Sequence, residues 1–288
     1  MQKDFMIKII LKSKNRKEFE MGKRKILLTI LIIFVTAGCI YLGNKARYDS
    51  RIRITQLAGE GNGYVLETSE NSLIVIDGGN ENDSQRLKQI ITEKSSSNSV
   101  AAWFLTSVDE LNSGAILKLI DDEDIKIENI YVSFNSAEWY ENSVNDPEKL
   151  NYIENLVDKI YNENREKTTQ LGRRAQFKID NYIITALEVA DDNLQGIENQ
   201  TVILNVDNTF KNINFFGNIG KIEEKKFFEN DKDMHNTDII QLSGNGNYDL
   251  LNYIKYKEAL ISNESLQMQI DAEKIYTKQN GEAFVEIW

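Results

Sequence analysis

The sequence predicts an α/β (α+β) layered domain preceded by one N-terminal transmembrane helix. Three observations lead there. Short runs rich in Ile, Val, Phe and Tyr, bounded by Gly, Asn and Asp, recur from about Arg51 onward. Segments with apolar residues at helical spacing lie between them. Charged residues make up 27% of the 288 and apolar ones 41%, so the chain can bury a real core. Strands interspersed with helices argue for sheets covered by helices.

The chain opens basic. Residues 1–25 hold nine Lys and Arg against three acids, Asp4, Glu18 and Glu20. The net charge of the whole is −11, so the remainder carries −17. Residues 26–44, ILLTILIIFVTAGCIYLGN, contain no charge and lie between Lys25 and Lys45. About 20 apolar residues cross a hydrocarbon core of about 30 Å, so the run is just long enough for an anchor. The basic residues before it predict a cytoplasmic N-terminus over 1–25 and an external body over 45–288. Met21 opens a compact signal-like stretch, MGKRKILL, and offers an alternative start of translation. Cys39 follows Thr36-Ala37-Gly38, a small-residue box of the kind that precedes a lipidated cysteine. Thr36 is a poor residue at its place in that box, and Ile40-Tyr41-Leu42 continue the apolar run. The expectation is a single-pass, uncleaved anchor in the cell membrane. A lipoprotein anchored at Cys39 is the alternative.

In the body, strands are expected at Arg51–Leu57, Tyr64–Thr68, Ser72–Asp77, Ala101–Thr106, Asn129–Phe134, Gln176–Lys178 and Tyr182–Leu187. Six more follow at Thr201–Asp207, Ile213–Phe216, Asp238–Leu242, Ala259–Ser262, Lys274–Tyr276 and Ala283–Ile287. The clearest helix runs from Pro147 to about Thr169. Asp146 caps it, Pro147 takes the first helical position, and Leu150, Ile153, Val157 and Ile160 form its apolar stripe. Shorter helices fit Asp83–Glu93, Gly114–Ile120, Ile222–Glu229 and Tyr248–Lys255.

Composition excludes several functions. One cysteine excludes a disulfide framework and a CxxC zinc module. One histidine, His235, excludes every metal site that needs two imidazoles. The acidic body disfavours nucleic acid and suits proteins, cations or cationic ligands. Gly59, Gly61 and Gly63 are read as a hairpin turn with positive φ, because no lysine and no helix follow them. His235 is expected at the surface among acids. Asp121-Asp122-Glu123-Asp124 and Asp191-Asp192 lack EF-hand spacing and read as solvated turns. Trp103, Tyr131 and Phe134 are expected in the core.

One ordered set of motifs goes further. A GEGN segment (Gly59–Asn62) joins two strands, and the next strand ends Ile76-Asp77-Gly78-Gly79. A later strand runs into Thr106-Ser107-Val108-Asp109-Glu110-Leu111-Asn112-Ser113-Gly114. Downstream come Glu198 to Leu204, Phe215-Phe216-Gly217-Asn218-Ile219 and Asp238 to Gly246. This order resembles the metallo-β-lactamase superfamily, in particular the ComEC-like hydrolase domain of competence DNA-uptake proteins. The resemblance implies a four-layer αββα sandwich over about residues 51–288. It also implies where a dinuclear metal site would lie. The histidines and aspartate of the family's T-H-x-H-x-D-H box fall at Ser107, Asp109, Leu111 and Asn112. The bridging aspartate falls at Asn218, and the H-H pair at Gly244 and Asn245.

Zinc in a hydrolase takes imidazole and carboxylate and lowers its water's pKa to about 7. Serine and asparagine oxygens are weak neutral ligands, and Leu111 has no donor atom. Of these positions Asp109 alone keeps a charge. The expectation is a non-catalytic domain with no cofactor, acting as a binding or scaffolding module for an envelope protein. Two alternatives stand beside it. Asp77 and Asp109 could hold one Mg, Ca or Mn ion in an oxygen-ligand hydrolase, with Glu110, Asn112 and Asn218 converging on it. The other is an accessory DNA-uptake protein.

Overall fold

The computed structural model describes residues 28–43, 51–243, 248–262, 270–278 and 281–287. The chain divides into two compact units, residues 1–48 and 49–288. In the first, residues 28–43 form helix α1, with every side chain exposed and Cys39 a free thiol. At 1.5 Å per residue it is about 24 Å long. Among the described residues no helix is long and apolar enough to cross a membrane. Residues 1–27 and 44–50, which include both ends of the expected anchor, lie outside the described residues.

The second unit begins with β1 (Ile52–Gln56), β2 (Gly63–Glu67) and β3 (Leu73–Asp77). Then follow α2 (Ser84–Lys94), β4 (Ser99–Val100), β5 (Ala102–Phe104), α3 (Glu110–Leu119), β6 (Lys126–Ile127) and β7 (Ile130–Val132). Next come α4 (Ala137–Ser143), α5 (Pro147–Val157), β8 (Thr168–Gln170), β9 (Gln176–Ile179) and β10 (Tyr182–Glu188). The chain continues through β11 (Ile203–Asp207), β12 (Asn212–Phe215), α6 (Lys221–Asn230) and β13 (Ile239–Leu242). It closes with β14 (Glu258–Ile261), β15 (Lys274–Thr277) and β16 (Ala283–Ile287).

Two seven-stranded sheets result. One has the order β16-β1-β2-β3-β5-β7-β8 and the other β15-β14-β13-β12-β11-β10-β9. Side-chain alternation explains their stacking. On β3, Leu73 and Val75 face a core shared with α2, α3 and α5 through Leu87, Ile91, Ile116 and Ile153. Ile74 and Ile76 face the opposite way, into an inter-sheet core with Leu204, Val206, Phe215 and Ile239. Ile203, Ile240 and Leu242 turn outward from the second sheet onto Phe227 of α6. A central strand buried on both faces needs apolar residues at every position, and Leu73–Asp77 is buried throughout. Three cores between four layers give the expected αββα arrangement.

All thirteen expected strands form, with ends shifted by a residue or two. Three helix expectations need correction. The helix from Pro147 stops at Val157 and passes through one wide turn, Asp158–Asn162. Thr168 Oγ1 and Asn164 Nδ2 take carbonyls of that turn, at Ile160 and Lys159, and the chain then becomes β8. Tyr248–Lys255 holds only a short 3-10 turn, Asp249–Asn252. Lys255 donates its N–H to the His235 carbonyl, and its own carbonyl accepts from Thr237 N, which pulls the chain straight. α3 starts at Glu110 rather than Gly114, because Asp109 Oδ1 accepts from Leu111 N and caps it. α4 was not expected. Ser136 caps it through Trp139 N.

Candidate functional site

Three loops meet at one end of the first sheet. The first is Gly59–Asn62, the second Asp77–Asn80, and the third Thr106 to the start of α3. They are held by backbone contacts. Gly78 N and Gly79 N donate to the Asn62 carbonyl at 3.1 and 2.7 Å, and Asn62 N donates to Leu111 O at 2.6 Å. Asp83 Oδ2 gathers Gly61 N and Asn80 N at 2.8 and 2.9 Å.

The reading of Gly59, Gly61 and Gly63 as positive-φ turn residues is corrected here. None of them has positive φ, whereas Gly78 and Gly79 do, at 131° and 94°. Gly61 is required for proximity instead. A Cβ there would lie 2.1 Å from Asn80 N and 2.5 Å from Leu111 O.

Asp77 ends β3 with φ of 62°, a conformation that non-glycine residues rarely hold. Its carboxylate is the reason. Thr106 N and Thr106 Oγ1 donate to it at 2.8 Å each, and Asn112 Nδ2 donates at 2.8 Å. Burial pushes its pKa up to about 7, although the Thr106 and Asn112 bonds and Lys278 oppose the rise. Asp77 thus accepts the N–H of Thr106 in the third loop, and it also anchors α3 through Asn112.

Above this floor lies a cavity of about 250 Å³ between the two sheets' loop ends. Ser107, Asp109, Leu111, Asn112 and Asn218 all line it, from segments more than 100 residues apart in sequence. Ser243 and Asn62 join them, and Lys149 and Glu198 stand in the lining. Gly244 and Asn245 lie outside the described residues.

Among the described residues, the donors in the cleft are hydroxyls, amides and one exposed carboxylate, a poor match for a zinc hydrolase's imidazole and carboxylate set. Ser107 Oγ accepts from Asp109 N at 3.1 Å, and Asp109 Oδ2 faces Lys149 Nζ at 3.5 Å. Leu111 is 47% exposed and offers no donor. Among the described residues no three His, Cys, Asp or Glu side chains are grouped so as to hold a metal ion. Glu110 is exposed and lines a neighbouring depression with Glu60 and Tyr152 rather than this one. Asp77 directs its carboxylate into the protein, with Asn112 between it and the cavity.

His235 is half-buried, 5.3 Å from the Phe227 ring and 5.5 Å from Phe228, and not simply a surface residue. Lys88 bridges Asp122 and Asp124, and Lys159 pairs with Asp121. Asp191 pairs with Lys226, and Asp192 accepts from Asn135 Nδ2 at 2.8 Å. Trp103 is fully buried, and Tyr131 stacks on Phe104.

Two residues of the floor escaped sequence reasoning. Asn62 Nδ2 donates to Asn112 Oδ1 at 3.2 Å. Lys278, just after β15, sends its ammonium into the Gly59–Asn62 loop, where it donates to the Gly61 carbonyl and, at 3.3 Å, to Asn62 Oδ1. Burial pulls its pKa down to about 8, against the pull of Asp83 and Asp77. No local signal marks Lys278, because its partners lie more than 200 residues away. Asn62 stood inside a quoted motif, and the signal there was an asparagine hemmed in by glycines.

No protein-family model and no curated protein matches the sequence. Solved structures do match in shape. A diphosphatase of the PhnP family aligns with 82% of this chain and 99% of its own, at a TM-score of 0.50 and 12% identity. The CmlA β-hydroxylase aligns with 82% of this chain and 54% of its own, at 0.52 and 8%. YhfI of Bacillus subtilis, a metallo-β-lactamase fold protein, aligns with 82% of this chain and 98% of its own, at 0.49 and 9%. A B3 metallo-β-lactamase matches at 13% identity, and the chain spans 59% of it. Likeness at such identity establishes architecture alone, and the architecture is a two-sheet sandwich flanked by helices, shared with the PhnP-family diphosphatase and the CmlA β-hydroxylase.

Proposed function

We propose that this protein is a membrane-tethered, non-catalytic metallo-β-lactamase-fold module of the ComEC-like type, whose former active-site cleft serves as a binding surface in the cell envelope. One observation carries the reading. The cleft of the fold is preserved, yet the residues lining it at the resemblance's ligand positions are Ser107, Asp109, Leu111, Asn112 and Asn218. Hydroxyls and neutral amides at these places hydrogen-bond well and ligate zinc poorly. A fold kept without its ligands serves recognition better than hydrolysis.

Residues 26–44 supply the tether, with residues 1–25 cytoplasmic and the body external. Lipid attachment at Cys39 is the other form the tether can take. The partner is an envelope protein, since the body's −17 charge repels nucleic-acid phosphate.

The test is metal content by mass spectrometry on the full chain purified without a histidine tag, with hydrolysis of bis(p-nitrophenyl) phosphate assayed in Mg²⁺, Mn²⁺ and Zn²⁺. The expected result is no stoichiometric metal and no turnover. About one equivalent of metal with turnover, both lost in Asp109→Ala, would replace this reading with an oxygen-ligand hydrolase.

A further inference from the structure

The floor of the cleft joins a half-buried cation to a buried anion through two asparagines. Lys278 Nζ donates to Asn62 Oδ1 at 3.3 Å. Asn62 Nδ2 donates to Asn112 Oδ1 at 3.2 Å. Asn112 Nδ2 donates to Asp77 Oδ2 at 2.8 Å. Every bond points the same way. Each amide turns its carbonyl toward the ammonium and its NH₂ toward the carboxylate. Aligned bonds of this kind polarise one another, and a low-dielectric interior strengthens them.

The geometry is selective. Flipping Asn62 would set its NH₂ against the ammonium, and flipping Asn112 would set its carbonyl against the carboxylate, so the two end charges fix both orientations. Asp77 and Asn112 are 2% and 4% exposed, and Asn62 is 8% exposed, so the anionic end of the relay is shielded from bulk water, while Lys278 at the other end is half-buried. The ammonium also takes the Gly61 carbonyl, so it ties a loop whose N–H groups are held from the other side by Asp83.

We infer that Lys278 is a built-in cation that does, for the floor of this cleft, the electrostatic work a metal ion would do. It neutralises Asp77 through Asn62 and Asn112 and fixes the Gly59–Asn62 loop against α3. The inference rests on the reading of the cleft as one without a metal, and it adds how the site does without one. It assigns Lys278, Asn62 and Asn112 as positioning residues. A floor whose charges are matched internally offers a ligand the neutral amides of Asn62 and Asn112, beside the charged Asp109, Lys149 and Glu198 of the same lining.

A double-mutant cycle on the full chain tests it, read by thermal unfolding at pH 7.5. Lys278→Met keeps the stem and removes the charge. Asp77→Asn removes the opposite charge. Lys278→Met is expected to lower Tm by about 5 °C or more in the wild-type background, and by under about 2 °C in the Asp77→Asn background. Equal losses in both backgrounds overturn the inference. Asn112→Leu breaks the relay, so the coupling should disappear in that background, and a full coupling there also overturns it. If Lys278→Met alone is insoluble, recovery of folded protein in the double variant is the supporting result, and its failure to fold is the opposing one. Wild type incubated with Zn²⁺ or Mn²⁺ separates this from the parent reading. One retained equivalent overturns both. No retained metal with equal losses in the two backgrounds overturns the inference alone.

Discussion

Two sets of buried acids in this body are neutralised in opposite ways. On the second sheet, Glu188 and Asp231 are 4% and 0% exposed and meet arginine directly. Arg173 reaches Glu188 at 3.1 Å and Asp231 at 3.0 Å, and Arg174 also pairs with Asp231 and then with Asp233 at 3.0 Å. In the cleft floor, Asp77 touches no cation, and its charge is answered across two amides. The first arrangement is a clamp whose guanidinium ends are a third or more exposed. The second is closed around Asp77 and puts the neutral amides of Asn62 and Asn112 at the cleft floor, beside Asp109, Lys149 and Glu198 of the same lining. A clamp suits a place that only has to hold. A relay suits a place that must hold and still present neutral amides at its floor.

The largest effect is expected on the clamp. Arg173→Ala with Arg174→Ala leaves two buried, mutually facing carboxylates without a cation, which costs about 3–5 kcal/mol. Thermal unfolding should show a fall of about 10 °C. A fall under about 3 °C would show that water reaches Asp231 readily, and the contrast with Asp77 would collapse.

Gly61→Ala should come next. Its Cβ would fall against the backbone of Asn80, Gly79 and Leu111, none of which can rotate aside. Overpacking costs about 1–3 kcal/mol, and here it also separates the loops that align Asn62 and Asn112. Loss of protection at the Gly78 and Gly79 amides in hydrogen exchange is the measurement. Unchanged protection would mean that the loops are not interdependent.

The pH dependence distinguishes the two sites again. Asp77 has a folded-state pKa raised to about 7 from an ordinary value of 3.8, so the folded state binds its proton more tightly than the unfolded state. Its contribution to stability is therefore full below about pH 4 and is lost as pH rises to about 7. Lys278 runs the other way. Its pKa is lowered from 10.5 to about 8, so the cost of burying the ammonium is relieved as pH rises between those values. The difference in Tm between wild type and Asp77→Asn should thus shift against wild type by several degrees from pH 4 to 7. It should stay flat from there to pH 8. In the clamp, Glu188 shifts in the same direction, its pKa raised by burial against the pull of Arg173. A flat difference curve would mean that Asp77 stays ionised throughout, fully compensated by its partners.

Much of this was legible in sequence. The runs of Ile, Val, Phe and Tyr bounded by Gly, Asn and Asp give every expected strand, because such residues are the ones that sheets bury and the bounds are written locally. The convergence of Ser107, Asp109, Asn112 and Asn218 followed from an ordered resemblance, not from any local property. Lys278 was not legible, since a single lysine after a strand has no signature and its meaning comes from a loop across the sheet. The break after Val157 was hidden because Ile160 continues the apolar stripe while Asn164 and Thr168, polar and unremarkable in sequence, end the helix.

The smallest effects are expected at Asp109, and they separate a binding cleft from a metal site. Asp109 caps α3 through Leu111 N, and its ion pair with Lys149 at 3.5 Å joins two side chains that are 43% and 35% exposed. An exposed pair at that distance is worth about 0–1 kcal/mol. Lys149→Ala should therefore move Tm by no more than about 2 °C. Asparagine caps a helix about as well as aspartate, and alanine does not. Asp109→Asn should be nearly silent and Asp109→Ala should cost about 1 kcal/mol. A cation held through Asp109 would give a different order. Both variants would then lose the same metal-dependent rise in Tm, because an amide is no better than a methyl group at supplying the missing charge. Measuring the two variants with and without Mn²⁺ reads the difference directly. An Asn variant that behaves like wild type in both conditions assigns Asp109 to the helix, and one that behaves like Ala only when Mn²⁺ is present assigns it to a metal.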